Sequence, residues 1–179
     1  MAEVNGPLLP GPIAALLCDR DGTLIEDVPY NADPDAVRPL SGVASALERV
    51  RAAGLRIGVV TNQSGVARGR IRPAELRAVH ARLTDLLGPF DIIVWCPHGA
   101  ADGCPCRKPE PGLVFEAAAA LDVDPAACVV IGDRRHDIVA AARAGAPAVL
   151  VSPTAALSDD SPRIATSFAD AVDLVLGAT

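Results

Sequence analysis

The sequence predicts an α/β fold in which a mostly parallel sheet carries helices on both faces. Three observations support this prediction. Five short apolar runs recur along the chain, amphipathic helical segments separate most of them, and no internal repeat interrupts the alternation. Strands that alternate with helices form parallel sheets through right-handed crossovers, so we expect a doubly wound, Rossmann-like arrangement.

The predicted strands are short and almost uninterrupted in their apolar character. This pattern is typical of strands that are buried on both faces of a sheet. The run LRIGVV at 55–60 is an example. The predicted strands are 13–18, 55–60, 91–95, 127–131 and 146–151.

The segments between the strands have apolar residues at helical spacing. In the first, Val43, Leu47 and Val50 share one face, and Gly54 follows as a stop signal. The second begins at Pro73, a residue that favours the first turn of a helix. The predicted helices are 41–53, 73–87, 111–121, 134–144 and 168–176, with a surface loop at 152–163.

Length and composition limit the class of protein. The chain has 179 residues, half of them hydrophobic, so we expect one domain over 1–179 with an N-terminal tail at 1–12. The net charge of -6 argues against a nucleic-acid partner. No apolar run approaches the roughly 20 residues of a membrane span, and the N-terminus does not resemble a signal peptide. We therefore expect a cytoplasmic protein with no membrane partner, and a monomer, because no apolar helix is spare.

Side chains capable of catalysis or metal binding follow four of the predicted strands. The four segments are DRDGT at 19–23, TNQ at 61–63, CPH at 96–98 and GDRRHD at 132–137. Any one of them could simply be a helix cap or a turn. Ligands of open parallel sheets, however, bind at the carboxyl ends of the strands. Four such segments at one sheet edge therefore predict a functional site.

Three carboxylates at this edge predict a cation. Asp19 and Asp21 share one turn, and Asp133 follows another predicted strand. Carboxylates this close together need a cation or different protonation states. A small set of oxygen ligands with room for water is typical of Mg²⁺, and such an ion would neutralise the charge of a phosphate substrate.

A phosphate substrate also explains two other features. The Thr61 hydroxyl and the backbone N–H of Asn62 could hold phosphate oxygens. Lys108 is the only lysine among the 16 basic residues, and it would place a compact positive charge on a phosphoryl group in transfer. A chance bias in composition is the alternative explanation for the single lysine.

These motifs resemble those of the haloacid dehalogenase superfamily of phosphatases. The matching features are D-x-D-G-T at 19–23, Thr61, Lys108 and G-D-x-x-x-D at 132–137, in that order. The resemblance spans roughly residues 16–151, and the four motifs together are highly specific. It implies a Mg²⁺-dependent phosphatase that works through an aspartyl-phosphate intermediate.

The resemblance also implies a role for each carboxylate. Asp19 would attack phosphorus, and Asp21 would protonate the leaving alkoxide and then deprotonate the hydrolytic water. Asp19, Asp133 and the backbone carbonyl of Asp21 would bind Mg²⁺. Asp137 would support the metal site or Lys108 without touching the substrate.

Three cysteines and one histidine predict a zinc-binding loop at 96–106. The four residues are Cys96, His98, Cys104 and Cys106. Cys₃His is a closed tetrahedral set, which is typical of structural zinc, and the bound ion would aim the residues that follow the loop at the phosphate site. A fortuitous cluster or a redox pair is the alternative, although the cytoplasm disfavours a disulfide. Cys18 and Cys128 lie in apolar strands and are predicted core residues.

The zinc loop narrows the resemblance to one branch of the superfamily. Together with TNQSGVARG at 61–69 and CRKPEPG at 106–112, it is similar to the heptose 1,7-bisphosphate 7-phosphatases and the histidinol-phosphate phosphatases. The segment NQSGVARG is closer to the heptose enzymes, whose substrate would be D-glycero-D-manno-heptose 1,7-bisphosphate. By this resemblance the substrate is a small sugar phosphate, and the residues around it are Thr61, Asn62, Gln63, Arg107 and Lys108.

The second phosphate of a bisphosphate needs positive charge, and Arg68 and Arg70 could supply it. A solvated loop is the other interpretation of these arginines. No insertion is long enough for a separate cap domain, so loops 25–40, 65–72 and 96–106 would cover the site. His80 is predicted on the surface of a helix, and His136 at the surface or beside the fourth motif.

Three alternatives stay open from the sequence. The first is a phosphatase that acts on histidinol phosphate or another small sugar phosphate. The second is a phosphoacceptor signalling module, because receiver domains also place an Asp, a Thr and a Lys on a doubly wound sheet. The third is a zinc-organised binding protein without activity. Asp21 disfavours signalling, because a second carboxylate beside the nucleophile should speed hydrolysis of the phosphoenzyme.

Overall fold

The computed structural model describes residues 11–154 and 163–177. Within these ranges the chain forms one six-stranded sheet in which every neighbouring pair is parallel. The strand order is β3-β2-β1-β4-β5-β6. The strands are β1 (Ala15–Cys18), β2 (Arg56–Asn62), β3 (Ile92–Cys96), β4 (Cys128–Gly132), β5 (Ala148–Val151) and β6 (Arg163–Ala165).

The five predicted strands are confirmed, and β6 is an addition to them. Arg163–Ala165 is three residues long and begins where the predicted surface loop ends. A segment this short carries no usable periodicity, so only its pairing with β5 identifies it. Most of the predicted loop, residues 155–162, lies outside the described residues, as do residues 1–10 of the predicted tail.

Helices cover both faces of the sheet, as predicted. They are α1 (Val43–Ala52), α2 (Pro73–Leu87), α3 (Gly112–Leu121), α4 (Arg135–Ala144) and α5 (Phe168–Leu176). One apolar cluster packs α1, α2 and α5 against the sheet, and a second packs α3 and α4 against the opposite face. Successive residues of β1 alternate between the two clusters, since neighbouring side chains of a strand point to opposite faces.

The topology brings the four predicted segments to one edge of the sheet. Because β1 lies between β2 and β4, and β2 lies between β1 and β3, their carboxyl ends are adjacent. Between β1 and α1 the chain forms only isolated bridges and a short 3₁₀ turn, so no cap domain is inserted there. None of the helices in the described ranges is both long and apolar enough to cross a membrane.

Two glycines at this edge leave room for carboxylates. Gly22 has a φ of +80°, and a Cβ atom there would lie 2.5 Å from an oxygen of Asp133. Gly132 ends β4, and a Cβ atom there would lie 2.4 Å from Cγ of Asp137. Neither distance is compatible with a methyl group, so glycine at both positions lets the carboxylates approach the backbone.

Replacing Gly132 with alanine should therefore destabilise the protein. Asp137 is fully buried and cannot move into solvent without disturbing its neighbours. Overpacking of this kind reduces stability by about 1–3 kcal/mol, which urea denaturation would measure. Gly11→Ala is the matched control, because nothing lies within 4 Å of its added Cβ atom. Equal stability of the two variants would contradict the expectation.

Candidate active site

A cleft of about 220 Å³ lies at the carboxyl ends of the central strands. It receives residues from the turn after β1, the end of β2, the zinc loop and the segment after β4. Residues of the predicted site line it alongside three that the sequence analysis did not assign to the site. The lining residues are Asp19, Asp21, Asp27, Thr61, Asn62, Arg107, Arg134 and His136.

Lys108 is buried beneath this cleft between two carboxylates. Its Nζ atom donates to Oδ1 of Asp19 at 2.7 Å and forms an ion pair with Oδ1 of Asp137 at 2.5 Å. It also donates to the backbone carbonyl of Val60 at 2.8 Å. The ammonium therefore lies against three protein oxygens, two of them carboxylate oxygens, and its side chain is only 1% exposed.

The charges around Lys108 keep it protonated. Burial alone would lower the pKa of Lys108, but the carboxylates of Asp19 and Asp137 outweigh this effect and raise it. Burial is also the main reason why the pKa of Asp19 is raised, and the Lys108 ammonium offsets only part of that rise. Lys108 is thus the cation beside Asp19 that favours its charged form.

Asp19, Asp133 and Asp137 form a cluster of acidic oxygens within 4.8 Å of one another. Burial, followed by the charge of Asp19, raises the pKa of Asp133 to about 6. Crowding of this kind favours a bound cation. The carboxylate of Asp21 is not part of this cluster.

The Asp21 carboxylate is instead held by its neighbours. Arg20 donates to it twice, from Nε to Oδ1 at 3.0 Å and from Nη2 to Oδ2 at 2.9 Å. Gln63 donates from Nε2 to the same Oδ2 at 2.8 Å, and to the Thr61 hydroxyl oxygen at 2.9 Å. Because this hydroxyl accepts from Gln63, its own hydrogen can be directed at a phosphate oxygen.

Asn62 clamps the backbone of Lys108. Its side-chain amide donates to the Lys108 carbonyl and accepts from the Lys108 N–H, both at 3.0 Å. The side chain is therefore occupied, and a role for Asn62 in phosphate binding rests on its backbone N–H. The clamp ties the end of β2 to the segment that follows the zinc loop.

The predicted zinc ligands are close together. The Cys106 sulfur lies 3.2 Å from that of Cys96 and 3.4 Å from that of Cys104. Nδ1 of His98 lies 3.3 Å from the Cys106 sulfur. One ligand atom from each residue fits within 4.8 Å of all the others, as a tetrahedral ion requires. The donor set and its spacing can hold Zn²⁺.

The predicted substrate-binding arginines take two different positions. Arg107 lines the cleft and donates to the backbone carbonyl of His98 at 3.2 Å. Arg68 is not among the lining residues, and its guanidinium lies 5.9 Å from the centre of the Tyr30 ring. Arg70 is also over this ring, at 4.9 Å. These two arginines and Tyr30 form an exposed group that does not line the cleft.

Several residues that line the cleft were not predicted from the sequence. Arg134 pairs with Asp133 at 3.0 Å and with Asp27 at 3.1 Å, and thus connects the acidic cluster to the loop after β1. The charge of Arg134 and of Asp27, and their positions close to the motifs, could have indicated that they belong to the site. The prediction that His80 is a surface residue was wrong, because it is 6% exposed and packs against Trp95. Its amphipathic helix buries the face that contains it.

Comparisons with known proteins identify relatives of this chain. A family described as HAD-hydrolase-like matches residues 105–172. D-glycero-beta-D-manno-heptose-1,7-bisphosphate 7-phosphatase from Pseudomonas aeruginosa is 39% identical over 141 residues, covering 76% of this chain and 79% of the relative. The enzyme of that name from Bordetella bronchiseptica is 40% identical over the same coverage.

Solved structures agree in fold. The crystal structure of the B. bronchiseptica D,D-heptose 1,7-bisphosphate phosphatase, complexed with magnesium and phosphate, matches with a TM-score of 0.81 and 33% identity. The match covers 93% of this chain and 100% of the B. bronchiseptica chain. A putative HAD-like phosphatase from Mesorhizobium loti matches with a TM-score of 0.79 and 31% identity, over 98% and 90% of the two chains.

The fold and the site define a phosphatase of the haloacid dehalogenase superfamily, and the chain belongs within it to the family of heptose 1,7-bisphosphate 7-phosphatases. This relationship confirms the resemblance found in the sequence.

Removing the buried ammonium should destabilise the protein strongly. Lys108→Met leaves the carboxylates of Asp19 and Asp137 buried without their cation. Breaking a buried ion pair from one side reduces stability by about 3–5 kcal/mol, and urea denaturation would measure the loss. Arg49→Met is the control, because its pair with Asp173 is about half exposed and should contribute at most about 1 kcal/mol. Losses of similar size would contradict this account.

Removing a ligand of the zinc loop should lower zinc content and thermal stability together. Cys106→Ser replaces the sulfur closest to two of the other ligands. Elemental analysis should find about one zinc per chain in the wild type and much less in the variant, with a lower Tm. Cys128→Ser is a matched control, since Cys128 lies in the core outside the cluster. A fully stable wild-type protein without zinc would contradict the expectation.

Proposed function

We propose that this protein hydrolyses the 7-phosphate of D-glycero-D-manno-heptose 1,7-bisphosphate. The observation that carries the proposal is the contact between Asp19 and the buried Lys108, beside Asp133, in a cleft at the strand ends. A nucleophilic carboxylate, a fixed ammonium and an acidic metal-binding cluster are the parts that phosphoryl transfer needs. The two relatives named above are heptose-1,7-bisphosphate 7-phosphatases according to their names.

The reaction begins when a carboxylate oxygen of Asp19 attacks phosphorus in line with the leaving oxygen. The sugar alkoxide leaves with a proton from Asp21, and Asp19 carries the phosphoryl group. Water then attacks phosphorus and gives its proton to the Asp21 carboxylate, which releases inorganic phosphate and restores Asp19. Throughout, the Thr61 hydroxyl can donate to a phosphoryl oxygen, and the positive charge of Lys108 beside Asp19 offsets the negative charge of the phosphoryl group.

Mg²⁺ fits the acidic edge of this cleft. Oxygens of Asp19 and Asp133 lie within 4.8 Å of one another, and burial raises the pKa of Asp133 to about 6 in the absence of a cation. Asp19, Asp133 and the backbone carbonyl of Asp21 would hold the ion. When bound, it would neutralise phosphate charge and let the anionic nucleophile approach an anionic substrate.

The sugar and its second phosphate would bind on the open side of the cleft. Arg107 lines the cleft, and Arg68, which packs against Tyr30 in an exposed loop, would reach the second phosphate from outside it. Gln63 acts on the substrate through Asp21 and Thr61, both of which accept its amide hydrogens. Because loops alone cover the cleft, specificity depends on side chains that grip a small polar ligand.

The remaining parts of the chain support this chemistry. Zinc on Cys96, His98, Cys104 and Cys106 would be structural, because four protein ligands leave no position for substrate. Asp137 would position Lys108 through their ion pair. We further propose that residues 1–179 form a single domain, and that the enzyme works as a monomer in the cytoplasm.

The Asp19→Asn variant tests the mechanism. An amide is a poor nucleophile, so phosphate release from the heptose bisphosphate should fall to background while the fold is retained. The matched control is Asp173→Asn on the surface of α5, which should keep wild-type activity. Full activity of Asp19→Asn would contradict the proposed nucleophile.

A comparison of substrates tests the specificity. The wild-type enzyme should have a higher kcat/KM for the heptose 1,7-bisphosphate than for histidinol phosphate, and release of inorganic phosphate measures both. A higher value for histidinol phosphate would contradict the proposed substrate. A phosphorylated Asp19 that persists for hours would favour a signalling role instead.

A further inference from the structure

Arg20 is the middle residue of the D-x-D motif, and none of the roles above uses it. Its side chain is 1% exposed, and it is among the largest fully buried side chains in the described ranges. Burying a guanidinium without partners is strongly unfavourable. The observed partner is the carboxylate of Asp21, which Arg20 contacts through two parallel hydrogen bonds.

The two carboxylate oxygens of Asp21 accept different numbers of hydrogen bonds. Oδ2 accepts from Nη2 of Arg20 and from Nε2 of Gln63. Within residues 11–154 and 163–177, Oδ1 accepts only from Nε of Arg20. A carboxylate oxygen has about two lone-pair positions, so Oδ2 is saturated and Oδ1 retains one position for a further proton.

The two hydrogen bonds to Asp21 are the polar contacts that hold the Arg20 guanidinium. Its third nitrogen, Nη1, has no hydrogen-bond partner in the described part of the chain, so its contacts to Asp21 are the polar anchors of the group. Burial, with a contribution from the charge of Arg20, lowers the pKa of His80 to about 3. The nearby imidazole is therefore neutral and does not repel the guanidinium.

We propose that Arg20 is a positioning residue that, together with Gln63, fixes Asp21 so that Oδ1 is the oxygen that exchanges protons with the substrate and with water. A planar guanidinium fixes both the position and the plane of a carboxylate. A lysine at position 20 would keep the positive charge but could not form the two parallel hydrogen bonds of the guanidinium fork. The inference rests on the proposed function, since it assigns a role within that reaction.

This role predicts different effects on substrates with different leaving groups. A sugar alkoxide must receive a proton as it leaves, so it needs a correctly oriented Asp21. p-Nitrophenolate leaves as a stable anion and needs no proton. Hydrolysis of phospho-Asp19 needs Asp21 as a base with either substrate.

Arg20→Lys is the informative variant. We expect its kcat on the heptose bisphosphate to fall by about 10- to 100-fold, within the range that proton transfer contributes. With p-nitrophenyl phosphate, stopped-flow absorbance should show a first turnover within about threefold of wild type, followed by a slow steady state. A burst of about one p-nitrophenolate per enzyme would therefore separate the two half-reactions. A first turnover slowed as much as the sugar reaction would overturn the proposal.

A double-mutant cycle separates positioning from a purely structural role. If Arg20 acts through Asp21, Arg20→Lys should change the residual rate of Asp21→Asn by less than about twofold. A further loss of about tenfold or more in that background would overturn the proposal. Arg51→Lys is the matched control, because Arg51 binds only backbone carbonyls of Leu87 and Pro89 far from the cleft. The Arg51→Lys variant should slow both half-reactions by the same factor or leave both rates unchanged.

Gln63→Leu keeps the proposal testable if Arg20→Lys does not fold. This variant removes the second donor to Oδ2 and leaves the guanidinium fork intact. Its first turnover should show the same preference for the aryl substrate, with a smaller loss on the sugar substrate. Equal losses in the first turnover of both substrates would count against the proposal. A wild-type enzyme inactive on both substrates would overturn the proposed function itself, and this inference with it.

Discussion

The ion pairs of Lys108 with Asp19 and Asp137 are the constraint on which the site depends. Three charged groups are buried together, and none of them is tolerable without the others. Desolvating charges of this kind is strongly unfavourable, and only close, hydrogen-bonded partners offset it. The arrangement also leaves a net negative charge, because one ammonium faces two carboxylates and Asp133 is adjacent. The cleft is thus prepared for further positive charge.

Features distant in sequence contribute to the position of Lys108. The Asn62 amide holds its backbone from the end of β2, and the Val60 carbonyl holds its ammonium. Gly132 lets Asp137 approach from the start of α4. The cysteine and histidine ligands end two residues before Lys108, and the backbone N–H of Gly112 binds the loop carbonyl of Pro105. A metal in this loop would therefore stabilise the segment that carries the Lys108 ammonium.

The sequence predicted what depends on periodicity and on strand order. Apolar runs located five strands, and the parallel topology implied that Asp19, Thr61 and Asp133 would meet at one edge. Three-residue β6 has no such pattern. His80 looked exposed because polarity alone does not say which face of a helix is buried. The contact of Arg20 with Asp21 could not be predicted, because neighbouring side chains of a regular strand diverge and only the turn after β1 allows them to meet.

The two sides of the cleft differ in how strongly their residues are held. On the phosphate side, Asp19, Thr61 and Lys108 are buried, and each has partners that it cannot lose without leaving a buried polar group unpaired. On the open side, Arg134 and Asp27 are about half exposed, and exposed pairs contribute at most about 1 kcal/mol. Substitutions on the open side therefore have little effect on stability, while those on the phosphate side reduce stability and impair the proposed chemistry together. Stability therefore constrains the side chains on the open side of the cleft least.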